Sequence, residues 1–103
     1  MDLGLHGKKA IVTGGTRGIG RAIVEQLAEE GCDIALCARS AGPVAETAAA
    51  LEKKGIKAAG SAFDVSDLAA LKAWVVAAAD ALGGIDIFVA NVSALAQGMD
   101  EES

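Results

Sequence analysis

A glycine-rich segment between two apolar runs constrains this chain more than any other feature. Residues 13–20 read Thr-Gly-Gly-Thr-Arg-Gly-Ile-Gly and follow the short apolar run at residues 10–12. The sequence therefore predicts a strand, a tight turn and a helix in immediate succession. That arrangement directs the first free N–H groups of the helix, and the positive end of its dipole, at one small volume that suits a phosphate or pyrophosphate. The helix is predicted because apolar residues recur at helical spacing, at Ile19, Ala22, Ile23 and Leu27.

Each glycine of the segment has a separate physical role in this interpretation. Gly14 lets the chain leave the strand in a turn that a side chain would resist. Gly18 leaves space where a pyrophosphate approaches the backbone, and Gly20 lets the helix pack closely on the neighbouring strand. Thr16 adds a hydroxyl and Arg17 a cation beside the same anion. The alternative is an ordinary strand-to-helix loop, because glycine patterns also arise by chance.

Two other phosphate-binding motifs are excluded by their spacing. Gly15 and Gly20 have the separation of a Walker A loop, but Arg21-Ala22 follows, so the lysine and the Mg²⁺-binding hydroxyl are missing. The Gly-x-Gly-x-x-Gly fingerprint is absent as well, because the spacing is Gly-x-x-x-Gly-x-Gly.

The whole chain alternates predicted strands and helices, which indicates right-handed βαβ units and a doubly wound parallel sheet in the order 3-2-1-4. Strands one and four would be central, with the ligand across their carboxyl ends. The predicted strands cover residues 9–13, 33–38, 57–63 and 85–91, and the predicted helices cover residues 18–30, 43–54 and 67–82.

The third helix has the strongest pattern. Ser66 is its predicted N-cap, and Gly83-Gly84 closes it. Gly31 has the same closing role after the first helix, and Pro43 is expected near the first turn of the second. The predicted buried stripe of the third helix is Leu68, Leu71, Val75, Ala78 and Leu82.

Composition limits the classes of protein to which the chain can belong. Its 103 residues suffice for one small domain, and a net charge of −5 argues against a nucleic-acid surface. Arg17, Arg21 and Arg39 are instead interpreted as a local anion site. The chain shows neither a signal peptide nor a membrane span, so a cytoplasmic protein is expected. Cys32 and Cys37 lie too far apart along a strand to form a disulfide and are interpreted as packing residues.

The spacing headed by Thr13 resembles the cofactor motif of the short-chain dehydrogenases/reductases, Thr-Gly-x-x-x-Gly-x-Gly. Asp64-Val65 is similar to the adenine-contacting Asp of that family at the end of the third strand. Residues 85–91 are similar to its fourth strand, although Val92-Ser93 replaces the usual Ala-Gly. The resemblance implies a Rossmann-type fold, truncated here after the fourth strand, and a nicotinamide dinucleotide as the cofactor.

The end of the second strand indicates which dinucleotide binds. A site for NAD(H) usually carries an acid there for the ribose 2′-hydroxyl, whereas this chain has Arg39-Ser40. Arg39, with Arg17 opposite, would attract a 2′-phosphate, so NADP(H) is predicted in preference to NAD(H). The alternatives are that Arg39 is only a solvated cation and that Asp64 and Asn91 are only turn formers. The predicted cofactor-binding residues are Gly14, Thr16, Arg17, Gly18, Ile19, Gly20, Arg39, Ser40, Asp64, Val65, Asn91, Val92 and Ser93.

The resemblance also implies hydride transfer to or from a small carbonyl or alcohol substrate, using a Tyr, a Lys and a Ser that lie beyond the matching region. The 103 residues contain no Tyr, so they are expected to be inactive alone and to form the N-terminal half of a longer enzyme, a homo-oligomer without nucleic-acid or membrane partners. One alternative is a non-catalytic nucleotide-binding or scaffold module. Another is a methyltransferase, which would require an acid at the end of the second strand.

Overall fold

The computed structural model describes residues 4–91, in which strands and helices alternate as predicted. The bounds of the first two strands match the prediction, and those of the other five elements differ from it by one or two residues at one or both ends. In chain order the elements are β1 (Lys9–Thr13), α1 (Gly18–Glu29), β2 (Asp33–Ala38), α2 (Ala41–Glu52), β3 (Ala58–Ala62), α3 (Leu68–Leu82) and β4 (Ile87–Ala90).

The four described strands form one parallel sheet in the order β3-β2-β1-β4, which confirms the predicted topology. Thr13 at the end of β1 lies opposite Cys37 of β2 and Ala90 of β4. All strands therefore end at the same side of the sheet. We call this side the carboxyl edge, and the opposite side, where the strands begin, the amino edge.

Helices cover both faces of the sheet, giving three layers. α1 and α2 pack on one face over a cluster that contains Ala10, Val12, Val24, Ala28, Cys32, Ile34, Leu36, Val44 and Leu51. α3 packs on the other face over a second cluster made of Ile11, Ala35, Cys37, Trp74, Ala78 and Leu82. This is the Rossmann-type α/β fold that was expected.

The buried stripe of α3 differs from the prediction at one end. Leu68 is 68% exposed, whereas Trp74, which was not predicted, is buried and contacts Phe63 with ring centroids 5.8 Å apart. Lys72 and Asp80 are the charged residues within α3, so apolar residues occur on most of its circumference. Periodicity alone therefore could not locate the buried face to within one residue.

The N-cap of α3 is Asp67 and not the predicted Ser66. The Asp67 side chain accepts a hydrogen bond from the Ala70 N–H at 3.1 Å. Ser66 is instead used by the preceding turn, where its N–H and hydroxyl both donate to Asp64. α2 begins at Ala41, two residues before the predicted start at Pro43. Pro43 is tolerated there because the first N–H groups of a helix have no intrahelical acceptor.

β4 is the outermost strand of the described sheet. Phe88 lies opposite Ile11 on the α3 face and is 53% exposed. The reason is that α3 packs over β1, β2 and β3 and does not reach β4.

The two cysteines are buried free thiols on opposite faces of the sheet, which confirms that they are packing residues. Burial raises the pKa of the Cys37 thiol to about 11, so it is un-ionised at neutral pH. Across residues 4–91, none of the helices combines the length and apolarity needed to cross a membrane.

Candidate functional site

The loop between β1 and α1 is held against β2 by its own backbone. Gly14 has a φ of +69°, a conformation that a side chain would strain, as predicted. Its N–H donates to the Cys37 carbonyl at 2.8 Å, and the Gly15 N–H donates to the same oxygen at 3.3 Å. A Cβ on Gly15 would lie 3.1 Å from both Leu36 and Val24, so this glycine also has a packing role, which the motif did not reveal.

Gly20 lies where α1 comes closest to the loop. A Cβ at this position would overlap the Gly14 carbonyl and would lie 2.7 Å from the Asn91 side-chain amide. The predicted close packing is confirmed, although the contact is with groups that follow β1 and β4 and not with a strand itself. Only glycine fits at position 20 without displacing the loop.

Asn91 connects the end of β4 to this loop. Its N–H donates to the Thr13 hydroxyl at 2.9 Å, and its Nδ2 donates to the Gly14 carbonyl at 3.2 Å. We call this pair of bonds the Asn91 clasp. The sequence placed Asn91 at the ligand edge but did not indicate that it fixes the shape of the glycine loop, because its partners lie about 80 residues away in the sequence.

The start of α1 offers an open cradle for an anion. Arg17 is the N-cap residue, has an extended backbone and makes no side-chain capping hydrogen bond. Gly18 has a φ of +54°, and a Cβ there would meet nothing within 4 Å. Ile19 is 75% exposed beside it. Among residues 4–91, no side chain accepts from the first N–H groups of α1, and the space beside Gly18 is open, which fits a pyrophosphate.

The junction between β2 and α2 places Arg39 and Ser40 at the same carboxyl edge, and both are exposed. Ser40 is the N-cap residue of α2, but its hydroxyl makes no capping hydrogen bond. Within the described part of the chain, neither Arg39 nor Arg17 forms an ion pair. Two exposed guanidinium groups, neither of them in an ion pair with another residue of the range 4–91, thus lie on the edge at which α1 begins.

Asp64 follows β3 at this edge and forms a local turn. One of its carboxylate oxygens accepts from the Ser66 N–H at 2.9 Å and from the Ser66 hydroxyl at 2.8 Å. These two hydrogen bonds, and next the charge of Arg39, lower the pKa of Asp64 below its ordinary value. Asp64 is therefore ionised at neutral pH. Val65, beside it, packs against the second cluster.

Arg21, which the sequence suggested for the anion site, is engaged by other side chains of the chain. Its Nε lies 2.6 Å from the Glu25 carboxylate, and its Nη1 donates to the Thr47 hydroxyl of α2 at 3.3 Å. The guanidinium is therefore engaged between two helices. Two other predicted site residues, Val92 and Ser93, lie outside the described residues.

A sequence profile of the short-chain dehydrogenase family matches residues 8–103. The chain belongs to the short-chain dehydrogenase family. Isoepoxydon dehydrogenase of Penicillium expansum, a curated relative, is 36% identical over 99 residues, which cover 90% of this chain and 37% of that protein. Members of the family are oxidoreductases that bind nicotinamide cofactors.

Solved structures of short-chain dehydrogenases include complexes with both cofactors. L-sorbose reductase from Gluconobacter frateurii, solved with NADPH and L-sorbose, is 40% identical with a TM-score of 0.80, over 85% of this chain and 34% of that one. Carveol dehydrogenase from Mycobacterium avium, solved with NAD, is 33% identical with a TM-score of 0.79, over 84% of this chain and 35% of that one. This chain therefore spans about a third of the length of the relatives it matches.

Proposed function

We propose that this chain is the cofactor-binding part of an NADP(H)-dependent short-chain dehydrogenase/reductase, which transfers hydride between nicotinamide and a carbonyl or alcohol substrate. The observation that carries the proposal is the carboxyl edge, where, within residues 4–91, an uncapped helix start and two guanidinium groups outside any ion pair occur together. In this proposal residues 1–103 form the nucleotide-binding, N-terminal portion of a longer single-domain enzyme. The bound cofactor supplies the hydride chemistry, and this chain supplies binding and orientation.

The pyrophosphate of the cofactor would lie at the start of α1. The backbone N–H groups after Arg17 and the hydroxyl of Thr16 would donate to its oxygens. Gly18 permits the approach because nothing occupies the position of its absent Cβ. Ile19 and Asn91, at the same edge, would contact the cofactor beyond the pyrophosphate, as would Val92 and Ser93.

The 2′-phosphate would be bound by Arg39, Ser40 and Arg17. Arg39 occupies the position after β2 where NAD(H)-preferring sites usually carry an acid, and an acid would repel this phosphate. Guanidinium groups suit it because they donate paired, charge-assisted hydrogen bonds. The NADPH complex of sorbose reductase supports this preference, and the NAD complex of carveol dehydrogenase shows that the family also contains the other. Asp64 and Val65 would contact the adenine.

Hydride transfer requires further groups that these residues do not contain. The family uses a Tyr as the acid or base, and the 103 residues include no Tyr. We therefore infer that they bind the cofactor without catalysing a reaction alone. As part of the same proposal, the enzyme has a site for a small carbonyl or alcohol substrate, forms a homo-oligomer and is located in the cytoplasm.

The direct test is Arg39→Asp in the full chain, with NADPH and NADH binding measured by calorimetry. Loss of a bidentate charged contact should weaken NADPH binding about a hundredfold, while NADH binding stays within about threefold. Lys72→Asp is the matched control, because it changes the net charge equally on the exposed side of α3. Equal losses for both coenzymes would contradict the proposal.

A further inference from the structure

We infer that Arg21 and Thr47 are positioning residues for the 2′-phosphate subsite, so that coenzyme selectivity depends on a hydrogen bond between α1 and α2 that touches no coenzyme. The inference rests on the proposed function, because it concerns how Arg17, Arg39 and Ser40 are held relative to each other. Its starting observation is that Arg21, a partly exposed cation near the glycine loop, donates a hydrogen bond to a buried hydroxyl.

Both partners of the hydrogen bond between Arg21 and Thr47 are held in place. Thr47 is 1% exposed, so its hydroxyl has little access to water and depends on a protein partner such as the Arg21 Nη1 at 3.3 Å. Glu25, one turn after Arg21 on α1, accepts from Nε at 2.6 Å. Two different nitrogens of one planar guanidinium are therefore held, which fixes its orientation.

On α1, the position of Arg21 is coupled to that of Arg17. The Arg21 N–H donates to the Arg17 carbonyl at 3.1 Å, so the two residues lie one turn apart on the same side of the helix start. A restraint on the Arg21 side chain is thereby a restraint on the first turn of α1, where the Arg17 guanidinium originates.

On α2, the position of Thr47 is likewise coupled to that of Ser40. Thr47 is seven residues after Ser40, which places both on one face of the helix about two turns apart. The Ser40 carbonyl accepts from the Val44 N–H at 3.2 Å, so Ser40 moves with the helix, and Arg39 precedes it directly. The Arg21–Thr47 bond therefore sets the distance between the start of α1 and the start of α2, whose residues would bind the phosphate.

A second contact between the same helices provides the control. Lys54, just after α2, donates to Glu29 at the end of α1, with 2.6 Å between Nζ and Oε2. This ion pair is exposed and lies at the ends of the helices remote from Arg17 and Ser40. If any loss of helix–helix contact affected selectivity, removing this pair would do so as well.

The test compares NADPH and NADH binding by calorimetry in the full chain and four variants, with the fold of each checked by circular dichroism. Thr47→Val removes the hydroxyl at constant shape, and Thr47→Ser keeps it. Arg21→Gln removes the charge and shortens the side chain so that no donor reaches the position of Nη1, and Glu29→Gln removes the remote ion pair. We expect Thr47→Val and Arg21→Gln to weaken NADPH binding about three- to tenfold, with NADH changed less than about twofold. Thr47→Ser and Glu29→Gln should retain the selectivity of the original chain.

Two results would overturn the inference. One is an unchanged NADPH-to-NADH ratio in Thr47→Val. The other is a loss of selectivity in Thr47→Ser or Glu29→Gln as large as that in Thr47→Val, because the hydroxyl, or this particular contact between the helices, would then not be the cause. If Arg39→Asp also fails to change the ratio, the proposed function fails. If Arg39→Asp changes it and Thr47→Val does not, only the present inference fails.

Discussion

The two edges of the sheet differ in how their charged and polar groups are used. At the amino edge, Asp33 accepts from the Lys9 ammonium at 2.7 Å and from the Lys57 N–H at 2.9 Å. Asp86 accepts from the Lys9 N–H at 2.9 Å. Two carboxylates thus tie the starts of all four strands together. At the carboxyl edge, by contrast, Arg17 and Arg39 form no ion pair with any residue between positions 4 and 91.

This difference separates groups that hold the strands in register from groups that are available to a ligand. The amino edge satisfies its charges internally, which favours one alignment of the strands. The carboxyl edge combines two cations that form no ion pair among residues 4–91 with a helix start that lacks a side-chain cap. An anion can satisfy the free N–H groups at a helix start and interact with nearby cations, so these groups are available to a phosphate. Substitutions at the two edges should therefore have different effects on coenzyme binding.

The largest effect is expected for Gly20→Ala. The added Cβ would overlap the Gly14 carbonyl and press on the Asn91 amide, so α1 and the loop must separate. We expect binding of both coenzymes to fall at least about a hundredfold, and the free energy of unfolding to fall by about 1–3 kcal/mol. Calorimetry and urea denaturation measure the two quantities.

Gly42→Ala is the control for this substitution. Gly42 lies in the first turn of α2, and a Cβ there would meet nothing within 4 Å. Its stability should be unchanged or higher by up to about 1 kcal/mol, since alanine favours a helix over glycine. Coenzyme binding within about threefold of the original in Gly20→Ala would contradict the close approach of α1 to the loop.

A smaller effect is expected when the Asn91 clasp is weakened by Asn91→Ala. The Gly14 carbonyl would lose its side-chain donor, while the backbone bond to Thr13 would remain. In the proposed function the glycine loop binds the pyrophosphate, which both coenzymes contain. Binding of NADPH and of NADH should therefore weaken alike, by about tenfold. Gln26→Ala, which removes an exposed amide on α1, should leave both unchanged. A loss confined to NADPH would assign Asn91 to the 2′-phosphate subsite instead.

The smallest effect on binding is expected at the amino edge, for Asp33→Asn. Removing its charge should lower the free energy of unfolding at pH 7 by about 1–2 kcal/mol and leave coenzyme binding unchanged. Asp80→Asn, at an exposed position of α3, is the control and should alter neither quantity. Weaker coenzyme binding in Asp33→Asn would remove the distinction between the two edges.

The effect of Asp33 should also depend on pH. The hydrogen bond from Lys9, then that from the Lys57 N–H, lower the pKa of Asp33 in the folded chain. Its stabilising contribution is therefore complete above the unfolded pKa of about 3.9 and is lost as the pH falls through the lower folded value. Urea denaturation between pH 7 and 3 should show the difference between the original chain and Asp33→Asn shrinking below about pH 4.

The sequence predicted the fold well where burial leaves few alternatives. β1 and β2 are buried on both faces, so their apolar runs end where the strands end. α3 was less predictable, because apolar residues surround it and both Leu68 and Trp74 fit a helical stripe. The glycine loop was predictable because Gly14 and Gly18 require backbone conformations that other residues avoid.

The contacts that shape the site were not predictable in the same way. The two bonds of the Asn91 clasp join residues that are 78 and 77 positions apart in the sequence. The Arg21–Thr47 bond joins residues that are 26 positions apart. Their formation depends on the spacing of packed elements, which periodicity does not report. For the same reason Arg21 was assigned to the anion site from its charge alone, whereas packing directs it to Thr47.

The most direct measurement is the change in backbone amide chemical shifts when NADPH is added to the full chain. We predict that the largest changes fall at residues 14–20, 39–40 and 64–65 and at Asn91, with Lys9, Asp33 and Asp86 nearly unaffected. Changes concentrated at the amino edge, or no changes at saturating NADPH with a folded chain, would contradict it.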